Sequence, residues 1–382
     1  MLKYQNKIFY ICLFSLIACQ TSKEGVVSHF DCYSWPLAPS QLNVSSLVFH
    51  KDLGGYIAKT RSRKLKTGYE FYDGDIDDVD IEDLYLPGDL SPDTSHLGYG
   101  VFQGRKVLAL GKSWQDTGLM VLVQDFLSGQ TLFSITLAFK KEQDYQVLFN
   151  AKGMWLLAGE KGAIPSKRPT SLFLAVEKGE TEKRLFFEKK LTFKGDVKII
   201  HKDHAIKGLA YLDSTLFKKE KKTYLTYIDL QKTPSKETLD SFAVEYLDQW
   251  AFGFYGPHKL FAFEGGDSFI GEAFLHVKSY PKGKSPLELG KIPLEDDEIS
   301  STHIVSSKKP LIASLLWKGD KGFLAIYTPH KGSFKLQGKY PIQSKEAALS
   351  QAFLSPKGDF NAVIFSRKKR FPHPQVCQLE GN

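Results

Sequence analysis

The stretch SQAFLSPKGDFNAVIFSR, residues 350–367, decides the fold class of this chain. It reads as an apolar strand, a tight polar turn that contains proline and glycine, and a second, strongly apolar strand. Proline and glycine between two such runs are typical of a β-hairpin. Segments of the same kind begin at Tyr145, Gln249 and His303, and the last of these has its turn at Ser-Ser-Lys-Lys-Pro. The sequence therefore predicts a hairpin that recurs along the chain.

Each hairpin is one half of a larger unit. A second pair of strand-like runs follows it, as in the segments from Thr170 and from Gly322, so four strands make one unit. Successive unit starts are 47 to 54 residues apart and fall near Ser46, Leu97, Tyr145, Val197, Gln249, His303 and Ser350. Four-stranded repeats of about 40 to 50 residues are typical of β-propeller blades.

The composition agrees with a chain built from strands. Aromatic residues make up 13% of it, with 28 Phe and 17 Tyr, and no helical amphipathic pattern is sustained. We therefore expect an all-β protein, a β-propeller of seven blades. Six or eight blades, or a pair of β-sandwiches, remain open as alternatives.

Two of the hairpins resemble a known repeat. FLSPKGDFNAVIFSR is similar to the Ser-Pro-Asp-Gly hairpin of WD40-like periplasmic propeller repeats, with Lys357 where that pattern has Asp. LFNAKGMWLLAG, within the unit from Tyr145, is a weaker copy. The Gly-His and Trp-Asp signature of the WD40 family itself is not present, so the resemblance implies the propeller architecture and not that family.

The last unit predicts how the ring closes. From Ser350 the chain has room for only three strands, and a strand-like run at residues 26–35 could supply the fourth. Pairing the two termini in one blade would remove an open sheet edge and bring Cys32 beside Cys377. We expect these two cysteines to form a disulfide, two free buried thiols being the alternative. Residues 26–382 are then a single propeller domain.

The N-terminus has the pattern of an export signal. Lys3 and Lys7 precede an apolar run over residues 8–17, and that run is shorter than the roughly 20 residues that span a membrane. The stretch Leu16-Ile17-Ala18-Cys19 resembles the bacterial lipobox.

That resemblance implies cleavage of a signal peptide over residues 1–18 and acylation of Cys19, for example with palmitate. It also implies a tether over residues 19–25 and attachment to the membrane through the N-terminal lipid. Gln20 is not the aspartate that retains many such proteins in the inner membrane, so the outer membrane is expected. An ordinary secretory signal or an uncleaved anchor is the alternative.

The positive charge does not indicate a nucleic-acid partner. The formal net charge of +8 comes from scattered lysines and short clusters, and not from one long basic stripe. An exported protein meets little nucleic acid, so solvated lysines explain the charge better than a nucleic-acid or lipid site does. The expected partners are the membrane, through the lipid, and proteins of the cell envelope.

One acidic segment is a candidate calcium site. Asp73, Asp75 and Asp77 alternate like the first ligands of a calcium loop. However, Leu84 stands where such a loop has a bidentate glutamate, and Asp78 stands where it has glycine. A solvated acidic loop is the alternative, and no other cofactor is expected.

No motif for catalysis is present in the sequence. There is no Gly-x-Ser-x-Gly elbow and no dinucleotide fingerprint followed by a helix. We expect a binding or scaffolding module of the envelope. The alternative is a propeller hydrolase or lyase that acts on an envelope glycan or lipid at the channel mouth, and a purely structural component is a third possibility. Carboxylates and histidines grouped at that mouth would favour an enzyme, and apolar or amide side chains would favour a scaffold.

Overall fold

The computed structural model describes the chain from residue 30 to residue 379, with gaps. The described residues are 30–34, 42–50, 55–62, 67–73, 94–114, 118–126, 128–138, 143–160, 162–163, 168–178, 184–202, 205–217, 220–231, 233–243, 247, 249–267, 272–294, 297–307, 309–342, 347–355, 358–366 and 374–379. The proposed signal peptide, lipobox and tether lie outside these residues. Within them, no helix is long and apolar enough to cross a membrane.

The described residues form seven antiparallel sheets, six of four strands and one of three, which we number as blades in chain order. The strands of blades 1 to 3 are β2 (Leu42–His50), β3 (Gly55–Ser62) and β4 (Thr67–Asp73); β5 (Thr94–Phe102), β6 (Arg105–Trp114), β7 (Gly118–Asp125) and β8 (Thr131–Ala138); β9 (Gln143–Asn150), β10 (Gly153–Glu160), β11 (Pro169–Lys178) and β12 (Arg184–Lys194).

The strands of blades 4 to 6 are β13 (Asp196–Lys202), β14 (Ala205–Phe217), β15 (Glu220–Asp229) and β16 (Ser235–Phe242); β17 (Trp250–Tyr255), β18 (His258–Asp267), β19 (Glu272–Tyr280) and β20 (Leu287–Pro293); β21 (Glu298–Val305), β22 (Leu311–Lys318), β23 (Lys321–His330) and β24 (Ser333–Ile342). Blade 7 combines β25 (Ala347–Leu354), β26 (Phe360–Ser366) and β27 (Pro374–Leu379) with β1 (Phe30–Ser34).

The predicted all-β propeller is confirmed by this topology. Each predicted unit start lies in the first strand of a blade or, for Gln249, directly before it. These seven first strands, which we call the inner strands, all contribute residues to one central cavity. The blades are therefore arranged radially around a common axis.

Blade 7 closes the ring as the strand count predicted. Strand β1 pairs antiparallel with β27, and Cys32 lies directly opposite Cys377. The structure joins these two cysteines, 345 residues apart in sequence, by a disulfide. The N-terminal strand thus completes a sheet whose other three strands come from the C-terminal end of the described chain.

The core lies between the blades. Six clusters of buried apolar residues each draw their members from two neighbouring blades, and together they fill every interface except that between blades 1 and 2 among the described residues. Trp155 and Trp250 are 0% and 1% exposed within these clusters. A single four-stranded blade cannot bury both of its faces, so each one depends on its neighbours.

Polar side chains connect the inner strands across the blade interfaces. An inner strand pairs with a strand of its own blade on one edge only, so its other edge has N–H and C=O groups that need partners. The Gln351 side chain, for example, accepts a hydrogen bond from the Phe49 N–H at 2.8 Å and donates one to the Phe49 carbonyl at 3.1 Å. Ser306 accepts a hydrogen bond from the Phe254 N–H at 3.0 Å in the same way. These contacts place polar side chains along the channel.

Candidate functional site

The central cavity has a volume of about 900 Å³. Its lining includes at least one residue from each inner strand, among them Phe49, Tyr99, Gln146, Ile199, Phe252, Thr302 and Gln351. Cavities of roughly 300 to 1,000 Å³ with a mixed lining are the usual size of small-molecule sites. The channel is therefore the candidate functional site.

An ion pair lies where the inner strands begin. Asp144, the second residue of β9, accepts a hydrogen bond from the Arg168 Nη2 at 2.8 Å. The backbone carbonyl of Arg168 accepts another from the Gly195 N–H at 3.1 Å, directly before β13. The Arg168 Nε is buried and has no hydrogen-bond partner among the residues that the structure describes.

Gly159 makes room for this guanidinium. A Cβ placed on Gly159 would lie 2.5 Å from the Arg168 Nε and 2.9 Å from its Cζ, which is closer than a Cβ atom approaches a non-bonded atom. Any larger residue at position 159 would displace the Arg168 head group. The glycine therefore leaves the space that the guanidinium occupies in the cavity wall.

A lysine lies beside an indole at the same end of the channel. The Lys198 Nζ donates a hydrogen bond to the Trp250 carbonyl and lies 4.5 Å from the centre of the Trp250 ring. The Trp250 Nε1 in turn donates a hydrogen bond to the Asp196 carboxylate at 2.8 Å. Burial lowers the pKa of Lys198 to about 8, and the negative charge of Asp196 opposes that shift.

Two histidines line the cavity. The His303 Nε2 donates a hydrogen bond to the Leu349 carbonyl at 3.0 Å, across the interface between blades 6 and 7. Burial, assisted by the positive charge of Lys198, lowers the pKa of His303 to about 4, although the bond to Leu349 favours the charged form. His303 is therefore a neutral donor at neutral pH. His201, on β13, also lines the cavity.

The residues singled out from the sequence lie elsewhere. Cys32 and Cys377 are at the outer strands of blade 7, where they close the ring. Asp73 is the last residue of β4, whereas Asp75 and Asp77, like Cys19, lie outside the described residues. Among the described residues no group of three His, Cys, Asp or Glu side chains could hold a metal ion. The calcium site stays a prediction.

The ionisable residues of the channel described above were not identified from the sequence. Asp144, Arg168, Asp196, Lys198 and His303 come from blades 3, 4 and 6, so no local motif contains them. The available signal is the set of three charged residues in the β13 run DVKIIHK, Asp196, Lys198 and Lys202, because they interrupt a strand whose other residues are mostly apolar.

The lining is mixed, so it does not match either of the patterns expected for an enzyme or for a scaffold. Carboxylates and histidines line the channel, but so do amide and apolar side chains. Asp144 is bound by Arg168, Asp196 by Trp250, and His303 binds a backbone carbonyl.

Comparison with known proteins finds similar folds but no family. No family model matches the chain, and no curated protein matches it. The chain is similar to the β-propeller domain of the Trilobed protease from Pyrococcus furiosus, with 12% identity, a TM-score of 0.48, and coverage of 91% of this chain and 95% of that one. The Dos1 propeller has 12% identity and a TM-score of 0.48, with coverage of 87% and 78%.

A prolyl endopeptidase has 12% identity to the chain and a TM-score of 0.49. The match covers 90% of this chain but only 51% of the endopeptidase, so the chain spans about half the length of that enzyme. Identities at this level do not transfer an activity, a substrate or a partner.

Proposed function

We propose that the protein is a lipid-anchored binding module of the bacterial cell envelope that holds a small polar molecule in its central channel. The observation that carries the binding function is the cavity of about 900 Å³ bounded by all seven inner strands. Several of its polar groups are held in place by hydrogen bonds to neighbouring blades, and Asp144 by its ion pair with Arg168, so little ordering is needed when a ligand arrives.

The channel suits a binding role because its donors and acceptors have fixed positions on rigid strands. Lys198 and Asp196 lie on β13, Thr302 and His303 on β21, and Gln351 on β25. Strand-borne groups hold a ligand with more precision than groups on loops do. A molecule in the channel would contact several blades at once.

The envelope location rests on two features. The first is the resemblance of residues 16–19 to a lipobox, with the acyl chains on Cys19 and attachment to the outer membrane. The second is the disulfide between Cys32 and Cys377, since disulfides form and persist in oxidising compartments outside the cytosol. More than one acyl chain is needed for stable anchoring, because a single chain binds membranes only marginally.

The binding function is tested by blocking the channel. Ser350 is exposed and lines the cavity, and it lies at an irregularity in the pairing of β25 with β26. Replacing it with tryptophan should fill part of the cavity without disturbing an apolar cluster. Ser134, which is exposed on the outer strand β8, provides a matched Ser→Trp control.

Saturation-transfer NMR against a library of small polar compounds provides the measurement. Wild type and Ser134→Trp should bind a common set of compounds, and Ser350→Trp should lose that set. A library without any compound that Ser350→Trp loses selectively would contradict the proposal. Circular dichroism establishes that all three proteins are folded.

The anchor is tested by Cys19→Ala in cells, followed by separation of membrane and soluble fractions. The variant should accumulate unprocessed or leave the membrane, and labelling with a palmitate analogue should be lost. A cleaved Cys19→Ala protein that stays in the membrane fraction would contradict lipidation at this residue.

A further inference from the structure

We propose that the molecule held in the channel carries an oxyanion group, a carboxylate or a phosphate, and that this group binds the side chain of Lys198. The inference rests on the proposed binding function of the channel and names the chemical class of its ligand. It follows from the hydrogen bonds that the charged groups at one end of the cavity already make.

Lys198 has no carboxylate bound directly to it among the described residues. Its amine donates to the Trp250 carbonyl and lies over the Trp250 ring, while Asp196 accepts its hydrogen bond from the indole. An ammonium group has three donors. A cation removed from water is costly unless it is paired. The charge of Asp196 offsets part of that cost, and an anion in the cavity would supply a direct partner.

Arg168 adds a second positive charge at the same end of the cavity. Its backbone carbonyl accepts a hydrogen bond from the N–H of Gly195, three residues before Lys198. Gly159 leaves room for its guanidinium, and Asp144 binds that group. Its Nε has no partner among the described residues. Arg168 is already paired with Asp144, whereas Lys198 keeps donors that no carboxylate of the described residues binds.

Binding of an anion and protonation of Lys198 should be coupled. The pKa of Lys198 is lowered to about 8, chiefly by burial, and a bound anion would raise it again. The ammonium fraction falls from about nine-tenths at pH 7 to about one-tenth at pH 9, so affinity for an anion should fall by up to about tenfold over that range.

Other ionisable groups line the same region, and their effect on the pH dependence of binding must be distinguished from that of Lys198. They are Asp196 and His201 on β13, Asp144 on β9, Arg168 before β11 and His303 on β21. Substitution of Lys198 by arginine separates them, because a guanidinium stays protonated throughout this range. Any pH dependence that persists in Lys198→Arg belongs to one of the other groups.

Calorimetry with malonate and with inorganic phosphate tests the proposal, at constant ionic strength and at pH 7 and pH 9. Malonamide, which has the shape of malonate without its charges, is the matched neutral ligand. Wild type should bind malonate or phosphate more tightly than malonamide. Its affinity for malonate should be up to about tenfold weaker at pH 9 than at pH 7, and malonate alone is used for the pH comparison because phosphate itself loses a proton in this range. The two anions show whether a carboxylate or a phosphate is preferred.

Two variants complete the experiment. Lys198→Arg should bind malonate with the same affinity at both pH values, and Lys198→Met should lose at least tenfold in affinity at pH 7. Equal binding of malonamide and malonate, or wild-type affinity in Lys198→Met, would overturn the anion proposal.

The channel-blocking variant separates the two proposals. If malonamide binds wild type as tightly as malonate does, and Ser350→Trp binds neither, the channel function stands and the anion proposal is wrong. If no compound is lost in Ser350→Trp, both are wrong.

Discussion

Replacement of His303 by glutamine should make the protein less sensitive to acid. His303 is neutral and donates to the Leu349 carbonyl at the interface between blades 6 and 7. Its pKa is about 4 in the folded protein, against 6.5 for the unperturbed side chain. Because the folded pKa lies below the unfolded one, the unfolded chain binds more protons between these values. Stability must therefore fall as the pH drops from 6.5 towards 4.

The size of the effect follows from the shift. One pKa unit corresponds to about 1.4 kcal/mol, so the free energy of unfolding should lose on the order of 3 kcal/mol across this window through His303. Glutamine can donate to the same carbonyl but does not titrate. His303→Gln should therefore lose about 2 to 3 kcal/mol less than wild type between pH 7 and pH 4.5.

Urea denaturation at the two pH values, followed by tryptophan fluorescence, measures this difference. Carboxylates that titrate in the same range contribute equally to both proteins and cancel. His276→Gln, at a histidine of β19 that lies 3.4 Å from Glu288, controls for the mere loss of a histidine. An equal loss of stability in wild type and His303→Gln would show that His303 is not the buried neutral donor described above.

Three further outcomes are expected. Peptide mapping by mass spectrometry without reductant should show the peptides of Cys32 and Cys377 joined, and free thiols at both positions would contradict the predicted disulfide. The double serine variant should lose up to about 5 kcal/mol of stability, since the bond closes a loop of 345 residues. Gln351→Ala should cost about 1 to 3 kcal/mol in urea denaturation because it leaves both backbone groups of Phe49 without this partner, and an unchanged midpoint would contradict that role. Trp155→Ala should cost about 3 to 5 kcal/mol because that side chain is 0% exposed, and a loss below 1 kcal/mol would place it outside the core.

The blades could be predicted because their signals are local. Within residues 350–367, β25 and β26 flank a turn in which Gly358 has a φ of +98°, a conformation that favours glycine. The repeat length then follows from the distance between such turns. Ring closure needed one further step, the observation that the last unit lacks a strand, and β1 supplies that strand in the structure.

The channel could not be predicted in the same way, because its residues depend on register. The pairing of β25 with β26 is irregular between Leu349 and Gln351, so Ser350 is left out of the alternation. Similar irregularities occur in β2, β5 and β21. A shift of one residue moves side chains to the opposite face of a strand. A regular alternation read from the sequence therefore assigns the wrong residues to the channel.

The polar lining of the channel and the stability of the ring have the same origin. Inner strands have one unpaired edge, and side chains such as Gln351 and Ser306 satisfy it from the neighbouring blade. Those groups cannot be changed to suit a ligand without loosening a blade interface. Lys198 differs because it satisfies the Trp250 carbonyl with one N–H and, while charged, has two more. A residue that uses only some of its hydrogen-bond donors for the fold can use the others to bind a ligand. In this channel Lys198 is therefore the residue through which ligand binding can be selected with the least loss of ring stability.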